Sequence, residues 1–97
     1  MQYNFEWDPK KAKTNGTKQK VGFELSATVF KDPRAISIYD DEHSGDEDRW
    51  ITLRLASNGS FLVVHHTFEQ ADGDNVAIRI ISSRKATKNE KKQYTEL

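Results

Sequence analysis

The chain contains no cysteine and no long apolar run. Without thiols it can form neither disulfides nor thiolate metal sites, so packing alone must hold the fold, as is typical of proteins in a reducing compartment. No apolar segment approaches the roughly 20 residues of a membrane-spanning helix. The N-terminal sequence MQYNFEWDPKK lacks the apolar segment of a signal peptide. We therefore expect a cytoplasmic protein that has no membrane partner.

The chain also lacks net charge, because 15 basic and 15 acidic residues cancel among its 97 residues. Bulk charge alone therefore favours neither nucleic acid nor a membrane as partner. The distribution is uneven, however, since acidic residues cluster in 40–48 and basic residues in 10–20 and 84–92. A basic surface is compatible with this neutrality. A chain of this length builds one modest core, so residues 1–97 are predicted to form a single domain.

Start signals predict helices near both ends of the chain. Asp8 is a typical N-cap residue, and Pro9 suits the first helical position. Residues 23–30 carry apolar side chains at helical spacing and predict a second short helix. Thr87 and Glu90 have the spacing of a capping box, which predicts a C-terminal helix.

Alternation of polar and apolar residues predicts strands in the remaining segments. These segments are residues 3–7, 34–40, 49–57, 60–68 and 76–82. Asn58-Gly59 is a strong signal for an antiparallel hairpin. The sequence therefore predicts an α+β fold with two N-terminal helices, an antiparallel sheet of about four strands and a C-terminal helix. The helices are expected to cover one sheet face and to leave the other partly open.

Arg79 lies in the middle of the most apolar predicted strand. Alternation places Val76, Ile78 and Ile80 on one face with Ser82, and Arg79 on the other. An unpaired buried charge is strongly destabilising, so Arg79 fits an open face that could receive an anion. The same periodicity also allows the arginine to pair with a cross-strand acid or to extend over the sheet surface.

Two further patterns argue against metal sites. The acidic loop from Asp40 resembles a calcium loop only superficially, because Ile51 stands where the bidentate glutamate is required. His65 and His66 are adjacent in a predicted strand, so they face opposite sides and cannot bind one ion together. One is expected to face the core and the other the open face. We predict neither a metal nor another cofactor.

The order of several motifs resembles the BrnT family of bacterial toxins. These motifs are FEWDPKKA, NGTKQKVGFE, VFKDP, DDEHSGDEDRW, LVVHHT and IRIISSRKATKNEKKQY, and together they cover essentially the whole chain. The most specific are the pattern formed by His43, Ser44, Glu47 and Arg49 and the segment from Arg79 to Tyr94. The resemblance implies a RelE-like fold and a metal-independent endoribonuclease of a type II toxin–antitoxin system.

The resemblance also implies the partners. They are an RNA substrate and a BrnA-like antitoxin similar to ribbon-helix-helix DNA-binding proteins, so DNA would be contacted only through the antitoxin. Cleavage of RNA without metal needs a group that neutralises charge on the phosphate, and the planar guanidinium of arginine suits this task. Arg49, Arg79 and Arg84 are the candidates for this role, with Arg54 a weaker fourth. Arg54, Arg79 and Arg84 are also the predicted RNA-binding residues.

Proton transfer needs other side chains. Glu47 is a candidate base, Lys18 a candidate acid or electrostatic helper, and Tyr94 a candidate donor or positioning group. Each also has a structural alternative. Glu47 could only pair with Arg49, Lys18 could be a solvated helix lysine, and Tyr94 could anchor the last helix.

One motif departs from the family pattern. In KQKVGF, Gln19 and Lys20 occupy the positions where the family commonly has histidine and glycine. Glutamine cannot transfer protons near neutral pH. If the family histidine is the acid or base, this chain should be slow unless His43 or Glu47 replaces it. The alternative is a non-catalytic binding module that acts only in an antitoxin–DNA repressor complex.

Overall fold

A six-stranded sheet forms the centre of the structure, a computed structural model that describes residues 2–95. The elements are β1 (Gln2–Glu6), α1 (Pro9–Gln19), α2 (Phe23–Ala27), β2 (Ile36–Tyr39), β3 (Arg49–Leu55), β4 (Phe61–Thr67), β5 (Glu69–Asp72), β6 (Asn75–Lys85) and α3 (Lys88–Thr95). The strand order is β1-β6-β4-β3-β2, and β5 pairs with β6.

The α+β class and the positions of the helices are confirmed, but the prediction of about four antiparallel strands is wrong. β1 joins the sheet in parallel with β6, and β5 is an additional strand. All four residues of β5 are exposed, so no alternation of apolar residues marks it in the sequence. The parallel pairing joins the two ends of the chain, and local patterns carry no information about it.

The helix termini follow the signals in the sequence. The Asp8 carboxylate accepts a hydrogen bond of 2.8 Å from the Lys10 amide, and Pro9 occupies the first turn of α1. Lys20 ends the helix in the left-handed conformation with φ of 59°. Among residues 2–95, no helix combines the length and the hydropathy that crossing a membrane requires.

Two apolar clusters lie on the two faces of the sheet. The larger one packs α1 and α2 against β4 and β6, and its buried members are Val21, Phe23, Val29, Ala56, Leu62, Val64, Val76, Ile78 and Ile80. The smaller one lies on the opposite face and consists of Leu53, Phe61 and Val63, with Tyr94 of α3 packed against it. The prediction that all the helices cover one face of the sheet is therefore wrong. α3 covers part of the second face and leaves the rest open.

A bulge in β6 changes which side chains reach the open face. His65 pairs with Ser82, whereas the next residue, His66, pairs with Ile80, so β6 holds one extra residue at this point. The bulge reverses the predicted facing of Ser82, and Ser83 is buried instead. Without it, residues 79 and 84 would point to opposite faces, since an odd number of positions separates them. The extra residue brings Arg79 and Arg84 to the same face.

Asn15 joins α1 to the edge of β6 beyond the end of β1. Its buried side-chain amide donates to the Ser83 carbonyl at 2.9 Å and accepts from the Ser83 amide at 3.0 Å. It also donates to the Val21 carbonyl at 3.0 Å. The asparagine thus satisfies the backbone groups that a neighbouring strand would otherwise bond. This contact fixes the C-terminal half of α1 beside β6.

One of the two histidines faces the core, as predicted, and the structure shows that it is His66. Its Nδ1 donates to the Thr67 carbonyl at 2.8 Å, so the neutral ring accepts at Nε2 from the Thr52 hydroxyl at 2.6 Å. The Ser37 hydroxyl then donates to Thr52 at 2.7 Å. Burial lowers the pKa of His66 from 6.5 to about 4. This chain of donors therefore requires a neutral imidazole.

We expect the free energy of unfolding to fall as the pH decreases from about 6.5 to about 4. The unfolded chain binds a proton on His66 in this range and the folded chain does not, which removes up to about 3 kcal/mol of stability. Denaturant unfolding at several pH values measures the slope, and His66→Gln should flatten it. His43→Gln is the matched control, because it removes a histidine whose side chain is 59% exposed and leaves the buried His66 in place. An unchanged slope in His66→Gln would contradict this assignment.

Candidate functional site

The open part of the sheet carries ionisable and polar side chains from three neighbouring strands. Cross-strand partners share a sheet face, and the pairs Arg49–Thr67, His65–Ser82 and Val63–Arg84 therefore identify its members. The residues of this open face are Arg49, His65, Thr67, Arg79, Ser82 and Arg84. α1, α3 and the loop before β3 border it.

A cavity of about 160 Å³ brings α1 to this face. It is lined by Asn15, Gln19, His65, Ser82, Ser83 and Arg84. Gln19, at the position where the BrnT pattern commonly has histidine, therefore lies in the same cavity as a histidine from β4. We name this space the Arg84 cavity.

His65 is the ionisable residue of this cavity that the sequence did not single out as a site residue. The alternation in LVVHHT did predict that one of the two histidines faces outward. Its proximity to Gln19 and Arg84 depends on the tertiary contact of α1 with β6, which no local pattern indicates. A histidine in an open cavity beside an arginine is a candidate for proton transfer.

The surroundings of His65 favour its neutral form. Burial lowers its pKa below 6.5, and the positive charge of Arg84 lowers it further, while the carboxylate of Asp40 opposes both effects. His65 Nδ1 lies 4.0 Å from Asp40 Oδ2, which exceeds hydrogen-bond distance. The same oxygen is 2.9 Å from His43 Nδ1. His65 is thus a neutral imidazole at pH 7 that can accept a proton.

Arg84 forms a bidentate ion pair with Glu90 of α3. The two hydrogen bonds measure 2.7 and 2.9 Å, and Glu90 also forms the predicted capping box with Thr87 at 2.9 and 3.1 Å. The hydrogen bonds from Arg84 lower the pKa of Glu90 to about 2, although Glu90 is only partly buried. The pair orients the guanidinium of Arg84 and connects α3 to the open face.

Glu47 contacts two other predicted site residues. Its Oε1 accepts a hydrogen bond from Arg79 Nη2 and lies 3.7 Å from Arg49 Nη2. The structural alternative of a Glu47–Arg49 pair is thus present, and Arg79 joins it. The buried Nε of Arg49 has no hydrogen-bond partner among residues 2–95. The carboxylate therefore holds two guanidinium groups close together.

The charge around the arginines differs between the two ends of the face. Arg79 lines a cavity of about 230 Å³ whose lining includes four carboxylates, those of Glu6, Glu47, Asp48 and Glu69. The lining of the Arg84 cavity contains no carboxylate among the residues that the structure describes. Glu90 pairs with Arg84 from outside this lining, so an anionic ligand competes there with one carboxylate, whereas four line the cavity at Arg79.

Arg54 and Tyr94 have structural contacts. Arg54 is 9% exposed, donates to the Tyr94 carbonyl at 3.2 Å and lies 3.9 Å from the Asp32 carboxylate. This position does not favour RNA binding by Arg54. Tyr94 packs against the apolar cluster that includes Phe61. Lys18 is exposed on α1 and lines an adjoining groove.

Comparison with known proteins identifies the family. Residues 7–90 match the family model described as ribonuclease toxin, BrnT, of type II toxin–antitoxin system. The chain belongs to the BrnT family. The matched range contains the Arg84 cavity and Glu90, whereas Tyr94 lies beyond it. No curated protein matches the chain.

Membership of the BrnT family indicates a toxin of a type II toxin–antitoxin system with ribonuclease activity. It also implies that an antitoxin is the partner. The open face, with its arginines and the neutral His65, supplies side chains that are suited to RNA cleavage.

Proposed function

We propose that this protein is a metal-independent endoribonuclease that a BrnA-like ribbon-helix-helix antitoxin neutralises. The observation that carries the proposal is the Arg84 cavity, in which an arginine lies together with a histidine whose surroundings favour the neutral form. Residues 1–97 act as a single domain of RelE-like fold. The toxin works in the cytoplasm on RNA, needs no cofactor and contacts DNA only through the antitoxin.

The proposed reaction uses the 2′-hydroxyl of RNA as its nucleophile. This oxygen attacks the adjacent phosphorus, and the bond to the 5′ oxygen of the next nucleotide breaks. The products are a 2′,3′-cyclic phosphate and a free 5′-hydroxyl. The step needs a base for the 2′-hydroxyl, positive charge beside the phosphoryl oxygens and a proton for the leaving oxygen.

His65 is the proposed base. Its neutral ring accepts the 2′-hydroxyl proton, and its side chain is 29% exposed, so a ribose can reach it. The leaving 5′ oxygen takes its proton from water or from the imidazolium that has just formed. Gln19 lies in the same cavity and can donate or accept a hydrogen bond to position the substrate, but it cannot titrate.

Arg84 is the proposed phosphate ligand. Two of its five N–H groups bind Glu90, which leaves others for a phosphoryl oxygen. Glu47 fixes Arg79 and Arg49 at the acidic end of the face, where they add positive charge at longer range. In this assignment Glu47 positions the two arginines, and Tyr94 anchors α3.

The second candidate function is a binding module that has kept the fold and the antitoxin surface without cleavage. Gln19 favours it, because a titrating residue of the family pattern is missing here. The carboxylates on Arg79 and Arg84 favour it as well, since an RNA phosphate must compete with them. Such a protein would bind its antitoxin tightly and leave RNA intact.

We expect the purified toxin to cleave single-stranded RNA equally well with and without EDTA. The arginines supply the positive charge that a metal ion would otherwise provide, and the products should carry 2′,3′-cyclic phosphate ends. End-labelled RNA separated on gels, before and after removal of cyclic phosphates, measures both properties. His65→Gln purified in parallel is the control for contaminating ribonucleases. Loss of cleavage in EDTA that a divalent ion restores would refute metal independence.

A further inference from the structure

A groove of about 370 Å³ runs between α1 and β6 beside the Arg84 cavity. Lys10, Lys11 and Lys18 line it together with Ile81, and we name it the lysine groove after these residues. The remaining lining side chains are neutral, and no carboxylate is among them in the part of the chain that the structure describes. The groove is therefore a cationic channel on a protein without net charge.

Helix geometry and the bulge together build this groove. Lys10, Thr14 and Lys18 recur every four residues and so share one face of α1. Ile81 is the extra residue of the β6 bulge, and it is a half-buried lining residue of the groove. Asn15 holds the helix against β6 through its bonds with Ser83. An apolar side chain in a groove that lysine side chains also line suits a ribose or base whose phosphates reach the ammonium groups.

The lysine groove adjoins the Arg84 cavity. Both are lined by Asn15, Gln19 and Ser82, so an RNA strand bound at Arg84 has the groove beside it. In the other direction, the cavity at Arg79 is lined by four carboxylates. Repulsion disfavours an anionic strand on that side. The charges therefore define one preferred path for a polyanion.

We propose that the lysine groove binds the single-stranded RNA segment that flanks the cleaved bond. The inference rests on the proposed function, because it takes the Arg84 cavity as the place of cleavage. Lys10, Lys11 and Lys18 contact successive phosphates as point charges, and Ile81 contacts a ribose or base. Lys18, at the junction with Gln19, thereby acts in substrate binding. The groove recognises RNA length and charge and has little sequence preference.

The first test compares substrates of two lengths. A dinucleotide occupies only the Arg84 cavity, whereas an oligonucleotide also fills the groove. Lys10→Gln/Lys11→Gln should lower the preference of the enzyme for the oligonucleotide, measured as a ratio of kcat/KM values, by about tenfold or more. Lys13→Gln/Lys31→Gln is the matched control, because it removes the same charge from exposed positions outside the groove. An unchanged ratio in the groove variant would overturn the proposal.

The second test does not depend on cleavage. An all-2′-deoxy oligonucleotide lacks the nucleophile, so its binding can be measured by fluorescence anisotropy at several salt concentrations. Loss of two phosphate contacts should weaken binding about tenfold and reduce the slope of log K against log salt by about 1.4. Equal affinity and equal slope for the wild type, the groove variant and the control would refute RNA binding by the lysine groove.

The two tests separate this inference from the proposed function. If the wild type cleaves no RNA but binds the oligonucleotide through Lys10 and Lys11, the proposed cleavage is refuted, whereas strand binding by the lysine groove is supported. If the wild type cleaves RNA while Lys10→Gln/Lys11→Gln changes neither the length preference nor binding, RNA binding by the lysine groove is refuted and the proposed function is retained.

Discussion

We expect His65→Gln to lower kcat for RNA cleavage by about 10²–10⁴-fold, the usual contribution of a general acid or base. Glutamine can retain hydrogen bonds in the Arg84 cavity but cannot take a proton from the 2′-hydroxyl. Initial rates at saturating oligonucleotide measure the loss, and KM should change little. His43→Gln is the matched control, since His43 also contacts Asp40 but lies outside the cavity.

The pH dependence of cleavage tests the same assignment. Only neutral His65 can accept a proton, so kcat should rise with pH through the pKa of this histidine and level off near neutrality. Burial and Arg84, with help from His43, lower that pKa below 6.5, whereas Asp40 and Glu90 raise it. The plateau should therefore begin below the pH at which a free histidine would lose its proton. His65→Gln should lose this acidic limb of the profile.

A rescue variant distinguishes the loss of a proton acceptor from a change in the shape of the Arg84 cavity. Gln19 and His65 line one cavity, so Gln19→His places an imidazole beside the position that His65→Gln vacates. We expect the double variant to recover at least about tenfold in rate over His65→Gln alone. If His65→Gln cleaves RNA at the wild-type rate, His65 is not the base. If no variant cleaves RNA and the protein binds its antitoxin tightly, the protein is the non-catalytic binding module.

Local sequence patterns are sufficient to predict the features that depend on a few neighbouring residues. Asp8 and Pro9 start α1, Asn58-Gly59 forms the hairpin between β3 and β4, and Thr87 caps α3. Alternation also predicted that the two adjacent histidines face opposite sides of the sheet, although it did not tell which one is buried. Each of these features follows from hydrogen bonds or side-chain directions within a short segment, so the sequence could predict them.

The site itself depends on features that have no local signal. The bulge that turns Arg84 to the face of Arg79 adds a single residue within an otherwise regular strand. Asn15 brings Gln19 to His65 by bonding Ser83, a residue 68 positions away. Arg54 is buried by an acid from another segment and by α3. Periodicity gives the face of a strand but does not tell which part of that face is covered.

We expect Arg84→Ala to lower kcat for RNA cleavage by about 10²–10³-fold, because its guanidinium supplies positive charge in the same cavity as the proposed base. The same substitution also breaks the ion pair with Glu90, so a loss of activity alone could reflect a displaced α3. Glu90→Gln separates the two effects. It removes the carboxylate partner and leaves the guanidinium in place.

The comparison of the two variants decides the role of Arg84. If Arg84 binds phosphate, Glu90→Gln should keep at least wild-type cleavage, because the RNA no longer competes with a carboxylate whose pKa is held at about 2. Both variants should lose similar stability, about 1 kcal/mol by denaturant unfolding, since the pair is partly exposed to solvent. Arg34→Ala, at an exposed arginine outside the site, is the control for lost charge. Equal losses of cleavage in Arg84→Ala and Glu90→Gln would instead show that Arg84 acts only by anchoring α3.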